Sequence, residues 1–148
     1  MLKRYLPFLV LVVIAFACNK DKLETRPSIK IKNINSTEVL PSEVLNITIE
    51  FADNEGDLGE GMLTYYRNRV NLRPIQNPGS NDKADVDSLR IPSFPKTQRG
   101  DFELKIPGEF LNEDPDQQDS MYFKIVARDV AGNVSDTIQT PLIINVQQ

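Results

Sequence analysis

The sequence predicts an all-β fold: one two-layered β-sandwich of about seven strands, occupying residues 28–148. Three observations predict it. Apolar and polar residues alternate with a period of two in run after run, which sends one set of side chains to a core and the other to water. No segment of useful length carries the 3.6-residue period of a helix. The runs are separated by spacers rich in Gly, Pro, Asn and Asp, the residues that turns use.

The elements follow in chain order. Met1-Leu2-Lys3-Arg4 is a short basic start, and residues 7–17 are an almost unbroken apolar run ending in the small residue Ala17. A charged region, an apolar region and a small-residue cleavage point make residues 1–17 a predicted signal peptide. The run is shorter than the roughly 20 residues a membrane-spanning helix needs. Cys18, the one cysteine of the chain, stands at the predicted cleavage point. Ala15-Phe16-Ala17-Cys18 resembles a bacterial lipobox, with Ala15 where Leu is the commoner residue. That resemblance implies that Cys18 carries a diacylglyceryl group and a fatty acyl chain such as palmitate, and that the protein is a lipoprotein held in the cell envelope, at the outer membrane. Residues 18–27 then form the lipidated cysteine and a polar tether. At about 3.3 Å per residue its nine extended residues reach roughly 30 Å. Lys20-Asp21 resembles the short charged signal that sends some Bacteroidota-type lipoproteins to the outer surface, although a solvated linker has the same composition.

Strands come next. Ile29 and Ile31 alternate with Lys30 and Lys32. Leu45, Ile47, Ile49 and Phe51 alternate with Asn46, Thr48 and Glu50, the clearest run in the chain. Residues 62–67 form a third strand, in which Tyr65 and Tyr66 must point to opposite faces. One of the pair is expected in the core and the other on a surface available to a ligand or partner. Residues 68–100 read as a long irregular insertion with Pro74, Pro78, Gly79, Pro92 and Pro95, interrupted by a short strand at 87–91. Such a segment is either functional or disordered. Phe102, Leu104 and Ile106 alternate with Glu103 and Lys105. A helical turn is expected within residues 111–119, limited by Pro115. Met121, Phe123, Ile125 and Ala127 alternate with polar neighbours, and a last long strand spans 134–146, broken or bulged at Pro141, which cannot donate to a ladder.

Composition excludes several function classes. Cleavage before Cys18 would remove Lys3 and Arg4, leaving fifteen basic residues against twenty-one acidic ones and taking the net charge from −4 to −6. That argues against nucleic acid, which demands basic patches, and against direct adhesion to anionic headgroups. The chain has no histidine, so Ser-His-Asp and Cys-His catalysis and His-ligated metals are absent. It has no G-x-S-x-G and no tryptophan to stack on a sugar ring.

Two segments carry a family resemblance. Ile49-Glu50-Phe51-Ala52-Asp53-Asn54-Glu55-Gly56-Asp57-Leu58-Gly59 is a strand ending in D-x-E-G-D-x-G, which resembles the acidic loops of cadherin-like and related immunoglobulin-like extracellular domains. Val126-Ala127-Arg128-Asp129-Val130-Ala131-Gly132-Asn133-Val134-Ser135 is similar to the penultimate hairpin of many bacterial immunoglobulin-like modules. The cadherin motif D-x-N-D-N is absent. The resemblance implies an immunoglobulin-like sandwich in which the loops after residues 52 and 128 emerge at one end. That end would bring Asp53, Glu55 and Asp57 near Asp129 and Asn133, a candidate calcium site, since calcium takes six to eight oxygen ligands from a loop that glycine allows to turn sharply. Asp, Asn and Gly serve turns equally well without a metal. An EF-hand is excluded, because its last acidic position would fall at Thr64.

The function expected from these features is a non-enzymatic envelope lipoprotein, anchored to the membrane by lipid. It would bind or adhere to an envelope protein or glycan, or serve as an accessory subunit of a surface complex. Two alternatives stand beside it: a small carbohydrate-active or hydrolytic domain using the loop carboxylates, and a purely structural spacer.

Overall fold

The computed structural model describes residues 25–74, 85–114 and 117–147. The predicted signal peptide, Cys18 and most of the tether lie outside the described residues. Among the described residues no helix is long and apolar enough to cross a membrane.

The alternating runs form strands, joined by a short β2 that the sequence did not predict: β1 (Ser28–Ile34), β2 (Glu38–Val39), β3 (Val44–Ala52), β4 (Met62–Arg69), β5 (Val86–Arg90), β6 (Arg99–Pro107), β7 (Asp119–Arg128), β8 (Ile138–Gln139) and β9 (Ile143–Asn145). They make an all-β domain of two sheets. One is antiparallel in the order β1-β3-β6; the other runs β2-β9-β7-β4-β5, with β8 also on β7 and with β2 and β9 parallel. Alternation decides which side chains enter the core. Leu45, Ile47 and Ile49 of β3, Leu104 of β6, Met121 and Ile125 of β7 and Ile143 of β9 are fully buried between the sheets. Each such side chain contributes roughly 1.5–3 kcal/mol by leaving water.

The outward residues of the three-stranded sheet neutralise one another. Lys30 pairs with Glu50, Lys32 with Asp101, and Lys105 with Glu103.

The insertion read at 68–100 is partly regular. β4 runs on to Arg69 and β5 pairs with it, from Met62 opposite Arg90 to Tyr66 opposite Val86. The segment after β5 crosses from one sheet to the other. It buries Ile91 and stacks the Phe94 ring on Phe51 at 5.1 Å. Residues 75–84 lie outside the described residues.

Two expectations need correction. The helical turn sits at Gly108–Phe110 rather than within 111–119, where the described residues are irregular. The reason is Asp119, fully buried, whose Oδ2 accepts the N–H groups of Glu113 (2.5 Å) and Asp114 (3.0 Å) and so holds that backbone in a loop. The last strand is broken around Pro141 as expected, but its two pieces, β8 and β9, cover much less than residues 134–146. Where the chain leaves the ladder, buried hydroxyls replace backbone partners. Thr140 Oγ1 accepts the Phe123 N–H (2.9 Å) beside Pro141, and Ser135 Oγ accepts the Ala127 N–H (3.0 Å).

A charged network closes the far end of the sandwich. Arg67, on the inward face of β4, reaches Glu113 Oε1 at 2.6 Å and donates to the Phe110 carbonyl at 2.9 Å; Arg69 reaches Glu113 Oε2 at 2.7 Å. The Glu113 side chain is wholly buried and that of Arg67 is 4% exposed. Removing one partner of such a pair strands the other charge in a low-dielectric interior, at a cost of about 3–5 kcal/mol. Glu113→Ala is therefore expected to lower the unfolding free energy by about 3–5 kcal/mol in urea titration, whereas Lys105→Ala, which breaks an exposed pair, changes it by less than about 1 kcal/mol.

Candidate metal centre

The end of the sandwich opposite that network is built from the β3–β4 loop, residues 53–61, and the turn after β7, residues 129–133. Because β4 runs antiparallel to β7 with Met62 opposite Arg128, the two segments emerge side by side, as expected from the sequence.

Asp53 organises the first loop. It is 1% exposed. Its Oδ1 accepts the Glu55 N–H at 3.2 Å, and its Oδ2 accepts the N–H groups of Asp57 (2.8 Å) and Leu58 (2.9 Å). A short side chain that takes up backbone donors two to five residues ahead curls the chain around itself. Gly56, at φ +68°, makes the sharp bend, and Leu58 drops into the core with no exposed surface. At Gly61 the loop presses on the neighbouring strand so closely that a Cβ would lie 2.2 Å from the Arg128 carbonyl oxygen. No side chain larger than hydrogen fits there.

Asp129 does the same for the second segment. It is 3% exposed; its Oδ1 accepts the Asn133 N–H (2.7 Å) and its Oδ2 the Asn133 side-chain amide (2.9 Å). The Asp129 N–H returns to the Asn133 carbonyl at 3.0 Å, and Gly132 supplies a φ of +94°. A backbone bond from the Val130 N–H to the Asp57 carbonyl (3.3 Å) ties the two segments together.

Of the five predicted ligands, the structure brings together Glu55, Asp57 and Asp129. One carboxylate oxygen from each lies within 4.8 Å of the others. Ligand oxygens of a large hard cation sit about 2.3–2.6 Å from it, so oxygens on opposite sides are roughly 4.6–5.2 Å apart. The cluster can therefore coordinate a divalent cation. Asp53 and Asn133 are engaged instead in the hydrogen bonds that shape the loops. Glu60, a fourth carboxylate of the loop, pairs with Arg90 at 3.2 Å.

The electrostatics agree with the geometry. Burial pushes the Asp57 carboxyl above the usual carboxylate range, and the negative charges of Asp129 and Asp53 add to the effect. Its Oδ1 is buried without a hydrogen-bond partner. A cation between these groups would remove both penalties.

The tyrosines divide as expected. Tyr65 faces inward, edge-on to Phe123 at a 5.8 Å centroid distance, and donates to Asp87 Oδ2 at 3.0 Å. Burial and that bond push its hydroxyl up to about 12. Tyr66 is 42% exposed on the other face. A cavity of about 400 Å³ opens beside Tyr65, lined also by Arg67, Ile106, Phe110 and Phe123, and none of the three clustered carboxylates lines it. Sequence reasoning missed this cavity because its walls come from separate elements with no common motif.

No protein-family model and no curated protein matches the chain.

Two outcomes follow. Asp53→Ala orphans three backbone donors and is expected to cost about 3 kcal/mol in denaturant unfolding. Asp57→Asn removes a carboxylate whose proton the folded state holds more tightly than the unfolded state does. Without added cation the variant should be more stable than wild type at pH 7. That advantage shrinks as the pH falls through the raised pKa and vanishes below the ordinary value of 3.8, which parallel urea titrations across pH would measure.

Proposed function

We propose that this protein is a non-catalytic binding module of the bacterial cell envelope, anchored by lipid at Cys18, whose immunoglobulin-like sandwich has a calcium-bound loop end. The observation that carries the reading is the convergence of Glu55, Asp57 and Asp129 from two loops onto one point. Calcium bridging those loops fixes the shape of the end that faces away from the Arg67–Glu113 network. A rigid loop end is how such sandwiches present a surface to a protein or glycan partner. The immunoglobulin-like assignment is supported by strand order. β1, β3 and β6 take the places of strands A, B and E in one sheet, and β4, β7 and the C-terminal strands those of C, F and G in the other. The lipid anchor is supported by Cys18 at the end of the apolar leader.

The hydrolytic alternative draws on the same carboxylates. It is favoured by one observation, the raised Asp57 carboxyl beside Asp129, since a general acid needs a proton retained near neutral pH. Against it, oxygens within 4.8 Å of one another suit the sharing of an ion, and the chain has no tryptophan or histidine to shape a sugar subsite.

Thermal unfolding with calcium and then with chelator tests the main reading. A ligand at a hundred times its Kd that binds only the folded state adds about 2.7 kcal/mol, and Asp57→Asn should abolish the rise. An unchanged melting temperature at millimolar calcium would reject the site. Turnover of chromogenic glycosides or esters by wild type and its loss in Asp57→Asn would establish the alternative. The anchor is read separately: the mass of protein recovered from a bacterial envelope should begin at an acylated Cys18, and Cys18→Ser should leave the detergent phase for the aqueous one.

A further inference from the structure

The two outer faces of the sandwich balance their charges differently. On the three-stranded sheet the three lysines have carboxylate partners, in the pairs Lys30–Glu50, Lys32–Asp101 and Lys105–Glu103, and Arg99 at its edge has no ion pair among the described residues. On β4, β5 and β7 of the larger sheet the register fixes which residues share the outward side. Met62 stands between Arg90 and Arg128, and Tyr66 between Val86 and Lys124. No outward position of these three strands holds a carboxylate, although the chain as a whole carries a net charge of −4. Arg90 is met from the loop by Glu60. Lys124 lies 5.9 Å from the Tyr122 ring, and neither it nor Arg128 has an ion pair among the described residues.

The same face holds three of the large apolar side chains that the fold leaves in water: Met62 (40% exposed), Tyr66 (42%) and Val86 (49%). Between Met62 and Tyr66 lies a shallow depression of about 290 Å³, lined also by Thr64, Ser88, Val126 and Arg128. Protein-binding surfaces are enriched in Met, Tyr and Arg and depleted of Asp and Glu, and exposed apolar groups rimmed by charge mark them. An isolated cation costs little in water, but Lys124 and Arg128, without ion pairs among the described residues and beside exposed Met62 and Tyr66, set the sign of what can dock there.

We infer that the outer face of β4, β5 and β7 is the docking surface for an acidic protein partner, one that places an apolar side chain in the Met62–Tyr66 depression and carboxylates against Lys124 and Arg128. The inference deepens the binding-module reading and rests on it. It places the contact on the flat of the larger sheet, with the cation end setting the loops beside it. A polyanionic glycan would use the cations but leave Met62, Tyr66 and Val86 in water, so these exposed apolar side chains favour a protein.

The methionines give a direct readout. Met62 lies on this face, and Met121 is wholly buried in the core. The full chain, in detergent micelles with calcium and with methionine methyl groups labelled for NMR, is titrated with an acidic peptide that carries a central phenylalanine. The charge-reversed peptide serves as control. The acidic peptide is expected to move the Met62 methyl resonance and leave Met121 in place. About 0.5 M salt should weaken the response, since exposed charges are screened there within about 4 Å. Lys124→Glu with Arg128→Glu should weaken it about tenfold or more. If that double variant melts early, Tyr66→Ser, which empties one wall of the depression, replaces it with the same expectation. A Met62 resonance unmoved by the acidic peptide, or moved equally by its charge reverse, overturns the inference. So does undiminished binding in the variants. A Met62 shift that follows protein concentration alone would name a second copy of the chain as the occupant and overturn it too. In each of these cases a calcium-dependent melting shift would still stand, so failure of the surface is distinguishable from failure of the cation site.

Discussion

The arrangement of the loop end depends on one buried carboxylate. Asp53 leaves water to accept three backbone N–H groups from the loop that follows it. Burying a charge without partners would be prohibitive; with three donors aimed at it the charge becomes the organising centre of the segment. Everything functional at that end inherits its position from this choice. Leu58 reaches the core because the chain has been turned, Asp57 is brought under Asp129, and the Asp57 carbonyl meets the Val130 N–H. Asp129 repeats the device on a smaller scale with Asn133. Two aspartates fix the scaffold, and Glu55, Asp57 and Asp129 then point carboxylate oxygens at one place.

The other end of the sandwich solves a similar problem with opposite charges. Glu113 is buried against Arg67 and Arg69, and Asp119 holds the loop that carries Glu113. The contrast bears on function. At the far end Glu113 has the opposite charges of Arg67 and Arg69 beside it and Asp119 has N–H donors, so the network holds the fold together. At the loop end the carboxylates of Glu55, Asp57 and Asp129 face one another, and burial, with the charges of Asp129 and Asp53 adding to it, makes Asp57 resist ionisation. Unbalanced charge at a built site is what a ligand can repair.

Much of the fold was legible from period-two alternation. β3, β6 and β7 lie where Leu45 to Phe51, Phe102 to Ile106 and Met121 to Ala127 alternate, because a half-buried strand writes its two faces directly into the sequence. The short elements were not legible. β2 is two residues long and leaves no pattern to read; in the last strand the break at Pro141 was legible, but the short extents of β8 and β9 were not. The helical turn was misplaced for a tertiary reason: the Asp119 carboxylate captures the N–H groups of Glu113 and Asp114, and no local propensity announces that. The hydroxyls of Ser135 and Thr140 were equally hidden, since their role exists only opposite β7.

The sequence alone determined the all-β class, the strands of the core, the division of Tyr65 from Tyr66, and the two acidic turns, because each follows from local alternation or from residue types that turns require. Only the tertiary structure decided which acids cluster and which are spent on the backbone. Asp53 and Asp57 are the same residue type in the same loop, yet one is satisfied by three N–H groups and the other is left beside Asp129. It also decided that Lys30, Lys32 and Lys105 of one outer face meet carboxylates, while Lys124 and Arg128 of the other, beside exposed Met62 and Tyr66, have no ion pair among the described residues. Both outcomes depend on which strand lies next to which, and pairing across the sheet is information that a single strand does not contain.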